Sequence, residues 1–149
     1  GMSEEFIFRG YLMTTIGGHH SAWLALAISS GAFAFAHVFN PGFNVLSCIN
    51  LAMFGMFAGL YMICFNDIWG VCGIHSIWNF MQGNFYGISV SGTGNTESVF
   101  RTTSKTSYSW LNGGDFGIEG SIFTTIVLLS GIVLILIKIR KNQNKEELS

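Results

Sequence analysis

Long runs of apolar residues, broken by short polar turns, make up most of this chain. A helix needs roughly 20 such residues to cross a hydrocarbon core of about 30 Å. The pattern predicts three clear spans, at residues 21–37, 45–65 and 121–137. Two further segments, 4–16 and 70–85, are short or carry polar side chains, and we expect them to be helices of the same bundle.

The interruptions between these segments have the composition of turns and loops. Gly17-Gly18 and the sequence FNPGFN around Pro41 break the helical pattern, as turn chemistry does. Residues 86–120 are rich in Gly, Ser, Thr and Asn, which predicts an extramembrane loop. The fold class that follows is all-α, a multispan transmembrane bundle of about five helices.

Basic residues follow the last span and predict the orientation of the chain. Four of them lie close together, Lys138, Arg140, Lys141 and Lys145. Positive charge next to a span marks its cytoplasmic side, so we expect a cytoplasmic C-terminus. The predicted organisation is one membrane domain at 1–137, which includes the loop, and a basic tail at 138–149.

Composition and charge support a membrane protein. The 149 residues are 50% hydrophobic and only 10% charged, against about 25% charged in soluble domains. Between Arg9 and Glu97 the only Asp, Glu, Lys or Arg is Asp67. A net charge of −1 gives no nucleic-acid footprint. Because the chain opens on a polar cluster without a signal-peptide pattern, we expect an N-terminally truncated form of a larger bundle.

The first polar cluster contains a pair of opposite charges and one unpaired carboxylate. Ionisable groups inside a membrane are costly and mark functional sites. On a helix, Glu5 and Arg9 are four residues apart and share a face, so they can pair. Glu4 points about 100° away from that pair and remains the free carboxylate.

Later segments carry two more polar stripes at helical spacing. Phe33 and His37 are four residues apart, as are His75 and Asn79. If these side chains converge with Glu4, the carboxylate can take a proton from a water that His37 shares. His75 and Asn79 can then donate hydrogen bonds to an oxyanion. The set predicts water-mediated amide hydrolysis.

A metal site is the alternative chemistry for the same residues. Two histidines and a glutamate form a zinc ligand set with an open position, here Glu4, His37 and His75. The helical HExxH pattern is absent, and the spacing alone leaves both readings open.

Three motifs give the chain a family resemblance. EEFIFR matches an EExxxR motif, FAFAH an FxxxH motif and HSIWN an HxxxN motif, in that order within residues 2–85. In these motifs the chain resembles the CPBP family of intramembrane proteases. That family includes type II CAAX prenyl endopeptidases, bacteriocin-processing enzymes and abortive-infection proteins.

The resemblance implies a role for each motif residue. Glu4 would be the catalytic glutamate, His37 the water-activating histidine, and His75 with Asn79 the oxyanion site. The supporting residues would be Glu5, Arg9 and Phe33. A glutamate-dependent reaction without a cofactor is the preferred form, and zinc is the alternative.

The function expected from this resemblance is hydrolysis of a peptide bond within the membrane. The partners would be the lipid bilayer and a peptide or protein substrate, either a leader peptide of a bacteriocin, a pheromone precursor or a lipid-modified, CAAX-like protein. The alternative from another class is a noncatalytic membrane immunity or regulatory protein on the same scaffold.

One geometric condition has to be met. If every span crosses fully, His37 lies near the end of its helix and His75 near the start of a helix that begins on the opposite side. The two can meet if the site lies deep in the bundle and is reached by short or tilted helices. They can also meet if the helix boundaries differ by several residues. A structure that separates Glu4, His37 and His75 would contradict the prediction.

Overall fold

The structure, a computed structural model, describes residues 1–94 and 97–146. Within these residues the chain forms six helices joined by turns and one long loop, and it contains no strand beyond an isolated bridge between Val90 and Thr93. The predicted all-α fold class is confirmed. Residues 95 and 96 of the predicted loop and 147–149 of the predicted tail lie outside the described residues.

The helices are numbered α1 to α6 in chain order. Helix α1 (2–17) consists of an α-helical turn Met2–Glu5, a π-helical stretch Phe6–Met13 and a last turn Thr14–Gly17. Helix α2 is Ala22–Phe35 and α3 is Val45–Phe65. Helix α4 (68–85) is α-helical over Ile68–Asn79 and π-helical over Phe80–Phe85. Helix α5 is Ser109–Asn112, two 3₁₀ turns follow at Gly114–Phe116 and Ile118–Gly120, and α6 is Ile122–Glu146.

Side-chain caps fix where the apolar helices begin. Ser21 accepts a hydrogen bond from the backbone of α2, and Asp67 does the same for α4. Asn44 and Ser47 form a capping box at the start of α3. Asn66, in the left-handed conformation, ends α3. These caps explain why α3 has the bounds that the apolar run predicts.

Helix α3 is central and packs closely against α2 through two glycines. A Cβ atom at Gly55 would lie 2.8 Å from the Cα atom of Ser30 on α2. At Gly59 it would overlap the side chain of Leu26. The missing side chains therefore let the two helix backbones approach, as small residues do in membrane bundles. On another side, α3 packs against α6, where the ring of Phe57 faces Gly131.

The lengths of α2 and α6 differ from those of the predicted spans. Helix α2 has 14 residues, about 21 Å, and ends at Phe35 instead of residue 37. In the described part of the chain, two helices are long and apolar enough to cross a membrane, Val45–Phe65 and Ile122–Lys145. Helix α6 continues through the basic residues to Glu146, so the predicted boundary at 137/138 falls inside a helix.

The packing of α2, α3 and α4 satisfies the geometric condition on the site. The last turn of the 14-residue α2 lies beside the middle of the 21-residue α3, where Phe33 packs against Phe54 with ring centroids 5.7 Å apart. His75, in the middle of α4, contacts the same Phe54 ring, with ring centroids 4.7 Å apart. The end of α2 and the middle of α4 therefore meet at one level of the bundle.

Candidate active site

Three helices bring Glu4, His37 and His75 together. Glu4 lies in the first turn of α1, His37 in the turn after α2, and His75 two turns into α4. Oε2 of Glu4 is 3.9 Å from Nε2 of His37 and 3.8 Å from Nε2 of His75. One carboxylate oxygen thus faces two imidazole nitrogens, and the structure brings Glu4, His37 and His75 together.

The backbone of α2 orients the imidazole of His37. Nδ1 of His37 lies 2.8 Å from the carbonyl oxygen of Phe33, which can only accept a hydrogen bond. Nδ1 therefore carries the hydrogen, and Nε2, facing Glu4, presents its lone pair in the neutral ring. The Phe33 ring also packs against His37, with ring centroids 4.9 Å apart. The spacing of four residues between Phe33 and His37 thus lets the Phe33 carbonyl and ring hold the His37 imidazole in place.

Glu5 orients the imidazole of His75. Nδ1 of His75 lies 2.6 Å from Oε1 of Glu5, and the Glu5 side chain is completely buried. A carboxylate only accepts, so Nδ1–H donates and Nε2 is again the nitrogen that faces Glu4. The four-residue spacing predicts only the pair of Glu5 with Arg9. It does not predict the contact of Glu5 with His75.

The predicted pair of Glu5 and Arg9 is present and fully buried. Nη1 of Arg9 donates to Oε1 of Glu5 at 3.1 Å, and neither side chain is exposed. The Arg9 guanidinium lies 4.6 Å from the centroid of the Phe33 ring, a cation–π distance. Arg9, Glu5, His75 and Glu4 therefore form one chain of contacts from the bundle core to the partly exposed Glu4.

Phe33 and Asn79 complete the predicted set. Phe33 is buried, and its ring packs against those of His37 and His75. The ring centroids of Phe33 and His75 are 6.0 Å apart. Asn79 follows His75 by one turn of α4. Its Oδ1 is buried and has no hydrogen-bond partner among the described residues.

The geometry bears on the zinc alternative. Among the described side chains, those of residues 1–94 and 97–145, no three of His, Cys, Asp or Glu are arranged to hold a metal ion. Adjacent ligands of one tetrahedral zinc stand about 3.4 Å apart, given bonds of about 2.0–2.1 Å. The separations of 3.8 and 3.9 Å around Glu4 exceed this spacing. As placed, the three side chains do not fit a zinc ion, and metal dependence stays a prediction for experiment.

A second, partly buried polar cluster is not predicted by the sequence patterns. We call it the Glu119 cluster, and it consists of Asn50, Trp78, Ser91 and Glu119. Oε1 of Glu119 accepts from Nε1 of Trp78 at 3.1 Å, and Oε2 accepts from the backbone N–H and hydroxyl of Ser91, both at 2.7 Å. Asn50 on α3 donates to the backbone oxygen of Glu119 at 2.7 Å.

The Glu119 cluster ties the loop to the bundle. It joins two parts of the loop, at Ser91 and Glu119, to α3 and α4. The sequence signal for it is an acidic residue, one of two in the glycine-rich stretch GGDFGIEG directly before the last apolar span.

These features define a class of protein: a helical membrane protein with a carboxylate and two histidines facing one another inside an apolar bundle. Comparison with known proteins identifies the family. The family model for Rce1-like type II CAAX prenyl endopeptidases matches residues 1–81, more than half of the 149 residues, and the chain belongs to this family. The predicted family resemblance is confirmed.

Membership in this family bears on the class of function, and the family model covers only part of the chain. The family is described as one of type II CAAX prenyl endopeptidases, which implies a membrane protease acting on a peptide or protein as the general class of function. The matched residues contain all seven predicted site residues and end before α5, the Glu119 side chain and α6. No curated protein and no solved structure matches the chain.

Proposed function

We propose that this protein is an intramembrane endopeptidase in which Glu4 and His37 activate a water that hydrolyses a peptide bond. The observation that carries the proposal is the position of Glu4 Oε2, 3.8 and 3.9 Å from two imidazole Nε2 atoms. Both separations are longer than a direct hydrogen bond, and one water can bridge polar atoms more than 3.5 Å apart. A water held there contacts a carboxylate and an imidazole lone pair at once.

The proton transfers follow from these positions. Glu4 takes one proton from the water while Nε2 of His37 accepts its second hydrogen in a hydrogen bond. The water oxygen bonds to the peptide carbonyl carbon, and the carbonyl oxygen becomes an oxyanion. When the carbon–nitrogen bond breaks, Glu4 returns its proton to the leaving amine.

His75 and Asn79 are proposed to stabilise the oxyanion. With Nδ1–H of His75 bonded to Glu5, Nε2 donates when the ring is an imidazolium, and the Glu5 carboxylate is its counter-ion. Asn79 donates through its side-chain amide. Loss of one such donor typically costs about 3 kcal/mol of transition-state stabilisation.

Replacing His37 tests the catalytic proposal. We expect His37→Ala to lower the rate of cleavage about 100-fold, since general acid–base groups contribute about 10²–10⁴-fold. The measurement uses purified protein in lipid nanodiscs, a peptide library, and mass spectrometry of new peptide termini. The matched control is His19→Ala, because His19 is an exposed histidine in the turn after α1 and should leave the rate unchanged.

A library that yields no new termini with wild-type protein would contradict the endopeptidase proposal. It would favour the noncatalytic alternative, a membrane immunity or regulatory protein. Equal loss of cleavage in His37→Ala and His19→Ala would instead contradict the assigned role of His37.

A metal-independent reaction is the second expectation. Because the separations around Glu4 exceed those of zinc ligands, we propose that water activation needs no metal ion. Cleavage should therefore persist after dialysis against a strong chelator, and elemental analysis should find less than stoichiometric zinc. Activity that disappears with the chelator and returns with added zinc would overturn this expectation.

Substrate and orientation belong to the same proposal. Substrates would be peptides or proteins presented at the membrane: a bacteriocin leader, a pheromone precursor or a lipid-modified, CAAX-like chain. We propose a multi-pass arrangement in the cell membrane with the basic end of α6 in the cytoplasm, supported by the cluster from Lys138 to Lys145.

A further inference from the structure

The turn that carries His37 is joined to α4 by hydrogen bonds that run through the loop. Nδ2 of Asn40, in the same turn, donates to the backbone oxygen of Ser91 at 2.8 Å. The backbone N–H and the hydroxyl of Ser91 donate to Oε2 of Glu119, both at 2.7 Å. Oε1 of Glu119 accepts from Nε1 of Trp78 on α4 at 3.1 Å. We call these four residues, Asn40, Ser91, Glu119 and Trp78, the polar bridge.

Each end of the polar bridge lies next to a residue of the candidate active site. The backbone N–H of Asn40 donates to the backbone oxygen of His37 at 3.0 Å. Trp78 lies one turn after His75 on α4 and directly precedes Asn79. The polar bridge therefore connects the turn that carries His37 with the helix that carries His75 and Asn79.

We propose that Glu119 is a positioning residue of the proposed hydrolysis, which holds the turn of His37 at a fixed separation from α4. The inference rests on the proposed function and adds to it a residue that lies beyond the matched residues 1–81. The action of Glu119 is indirect, because it bonds to Ser91 and Trp78 and these bonds fix the two parts of the site relative to each other.

His37 needs support from outside α2, because it lies beyond the end of that helix. The last residue of α2 is Phe35, and His37 follows in a turn. A water held by Glu4 contacts the imidazole only while Nε2 of His37 stays near Oε2 of Glu4, from which it is 3.9 Å away. A misplacement of about 1 Å can lower the rate of an enzyme about 100-fold. The separation between this turn and α4 therefore bears directly on the rate.

A carboxylate is suited to hold both ends of the polar bridge. It has two oxygens that only accept, so Glu119 binds Trp78 through one oxygen and Ser91 through the other. Glutamine has one accepting oxygen and a donating nitrogen, so at one end it would place a donor against a donor. Glu119 is only 9% exposed, and little water reaches it to replace a lost partner.

The loop backbone is fixed where the polar bridge passes through it. Ser91 has a φ of 46°, in the left-handed region that few residues other than glycine adopt. The adjacent Gly92 lies so close to Pro41 that a Cβ atom at Gly92 would overlap the carbonyl oxygen of Pro41. Asn50 on α3 donates to the backbone oxygen of Glu119 at 2.7 Å. The loop is thus anchored at both of its bridge residues, as a positioning role requires.

Cutting the polar bridge at either end tests the positioning role. Asn40→Ala removes the donor to Ser91, and Trp78→Phe removes the indole N–H while keeping an aromatic ring. We expect each variant, and Glu119→Gln, to lower kcat about 10–100-fold on one peptide identified with the library, at saturating concentration. Trp78 also lines an apolar cavity of about 250 Å³ between α3, α4 and α6, whereas Asn40 is not part of that wall. A loss shared by both variants therefore reports on the polar bridge and not on the cavity.

The double variant distinguishes positioning from separate local damage. Because one cut already disconnects the polar bridge, Asn40→Ala combined with Trp78→Phe should have about the kcat of the less active single variant. Independent effects would multiply instead, and that result would overturn the inference. Ser98→Ala is the control: it also removes a side-chain donor to a backbone oxygen, that of Phe100 within the loop, and should leave kcat unchanged.

Hydrogen–deuterium exchange tests the polar bridge without cleavage. In lipid nanodiscs, Trp78→Phe should speed exchange at the backbone N–H groups of Asn40 and Phe43, which lie at the other end of the polar bridge. The expected factor is about 2–10, as for the loss of one hydrogen bond. Exchange in α3 is the reference for folding and should be unchanged. Ser98→Ala should leave exchange at the turn unchanged as well.

The outcomes separate this inference from the proposed function. Unchanged kcat in Asn40→Ala and Trp78→Phe, with cleavage by the wild type, would overturn the positioning role and leave the endopeptidase intact. Faster exchange at the turn in Trp78→Phe, with no cleavage by the wild type, would support the polar bridge and contradict hydrolysis. Unchanged exchange at the turn would overturn the polar bridge, whether or not the wild type cleaves peptides.

Discussion

Glu4→Gln is expected to lower kcat/KM for peptide cleavage by up to about 10⁴-fold, the upper end of the contribution of a general base. Glutamine has nearly the same shape but cannot take a proton from water. The Glu4 side chain is 35% exposed and is separate from the buried bond between Glu5 and Arg9. Because glutamine keeps this shape and Oε2 of Glu4 lies 3.8–3.9 Å from the two imidazoles, beyond a direct hydrogen bond, we expect the free energy of unfolding to change by less than about 1 kcal/mol.

Cleavage by Glu4→Gln is measured with the same peptide library. Thermal unfolding of the variant is compared with that of the wild type under the same conditions. Glu5→Gln is the neighbouring control: it also removes a carboxylate, but one that holds His75, so it should change both stability and rate. Hydrolysis retained by Glu4→Gln would refute the assignment of Glu4 as the base. A binding protein would keep its cellular phenotype with this substitution.

Arg9→Met is expected to destabilise the fold by about 3–5 kcal/mol, the usual cost of removing one partner of a buried ion pair. Methionine replaces the volume of the arginine stem but cannot donate to Glu5. Because both side chains are fully buried, solvent does not reach the remaining carboxylate, which then keeps only its hydrogen bond from Nδ1–H of His75. Stability can be measured by equilibrium unfolding in mixed micelles of a mild detergent and SDS.

The double variant Glu5→Gln with Arg9→Met separates charge from packing. It removes both charges, and such replacements of buried pairs are often close to neutral for stability. We expect it to recover most of the stability lost in Arg9→Met. Cleavage should remain reduced, because a neutral amide in place of Glu5 cannot be the counter-ion of His75. Equal stability of the single and double variants would show that the cost does not come from an unpaired Glu5.

The local features of the fold could be predicted from the sequence because they depend on residues close together in the chain. The apolar run with Asn44 before it gives the bounds of α3, Val45–Phe65. The four-residue spacing of Glu5 and Arg9 gives an ion pair, and that of Phe33 and His37 gives the contact that holds the imidazole. A helix repeats every 3.6 residues, so neighbours on one face can be read from spacing.

Distances between helices could not be read in this way. The bond from Glu5 to His75 joins residues 70 positions apart, and that from Trp78 to Glu119 spans 41. The apolar run at 21–37 does not indicate that α2 ends at Phe35. It also does not indicate that the last turn of α2 lies beside the middle of α3.

The sequence by itself determined an all-α membrane protein, its family and the residue types at the candidate site. Only the tertiary structure decided that one oxygen of Glu4 faces two histidines, that Glu5 holds His75, and that α6 closes an apolar cavity beside them. The physical reason is that helical periodicity is set by backbone hydrogen bonds within a few residues, whereas the depth and facing of helices depend on side-chain packing between distant segments.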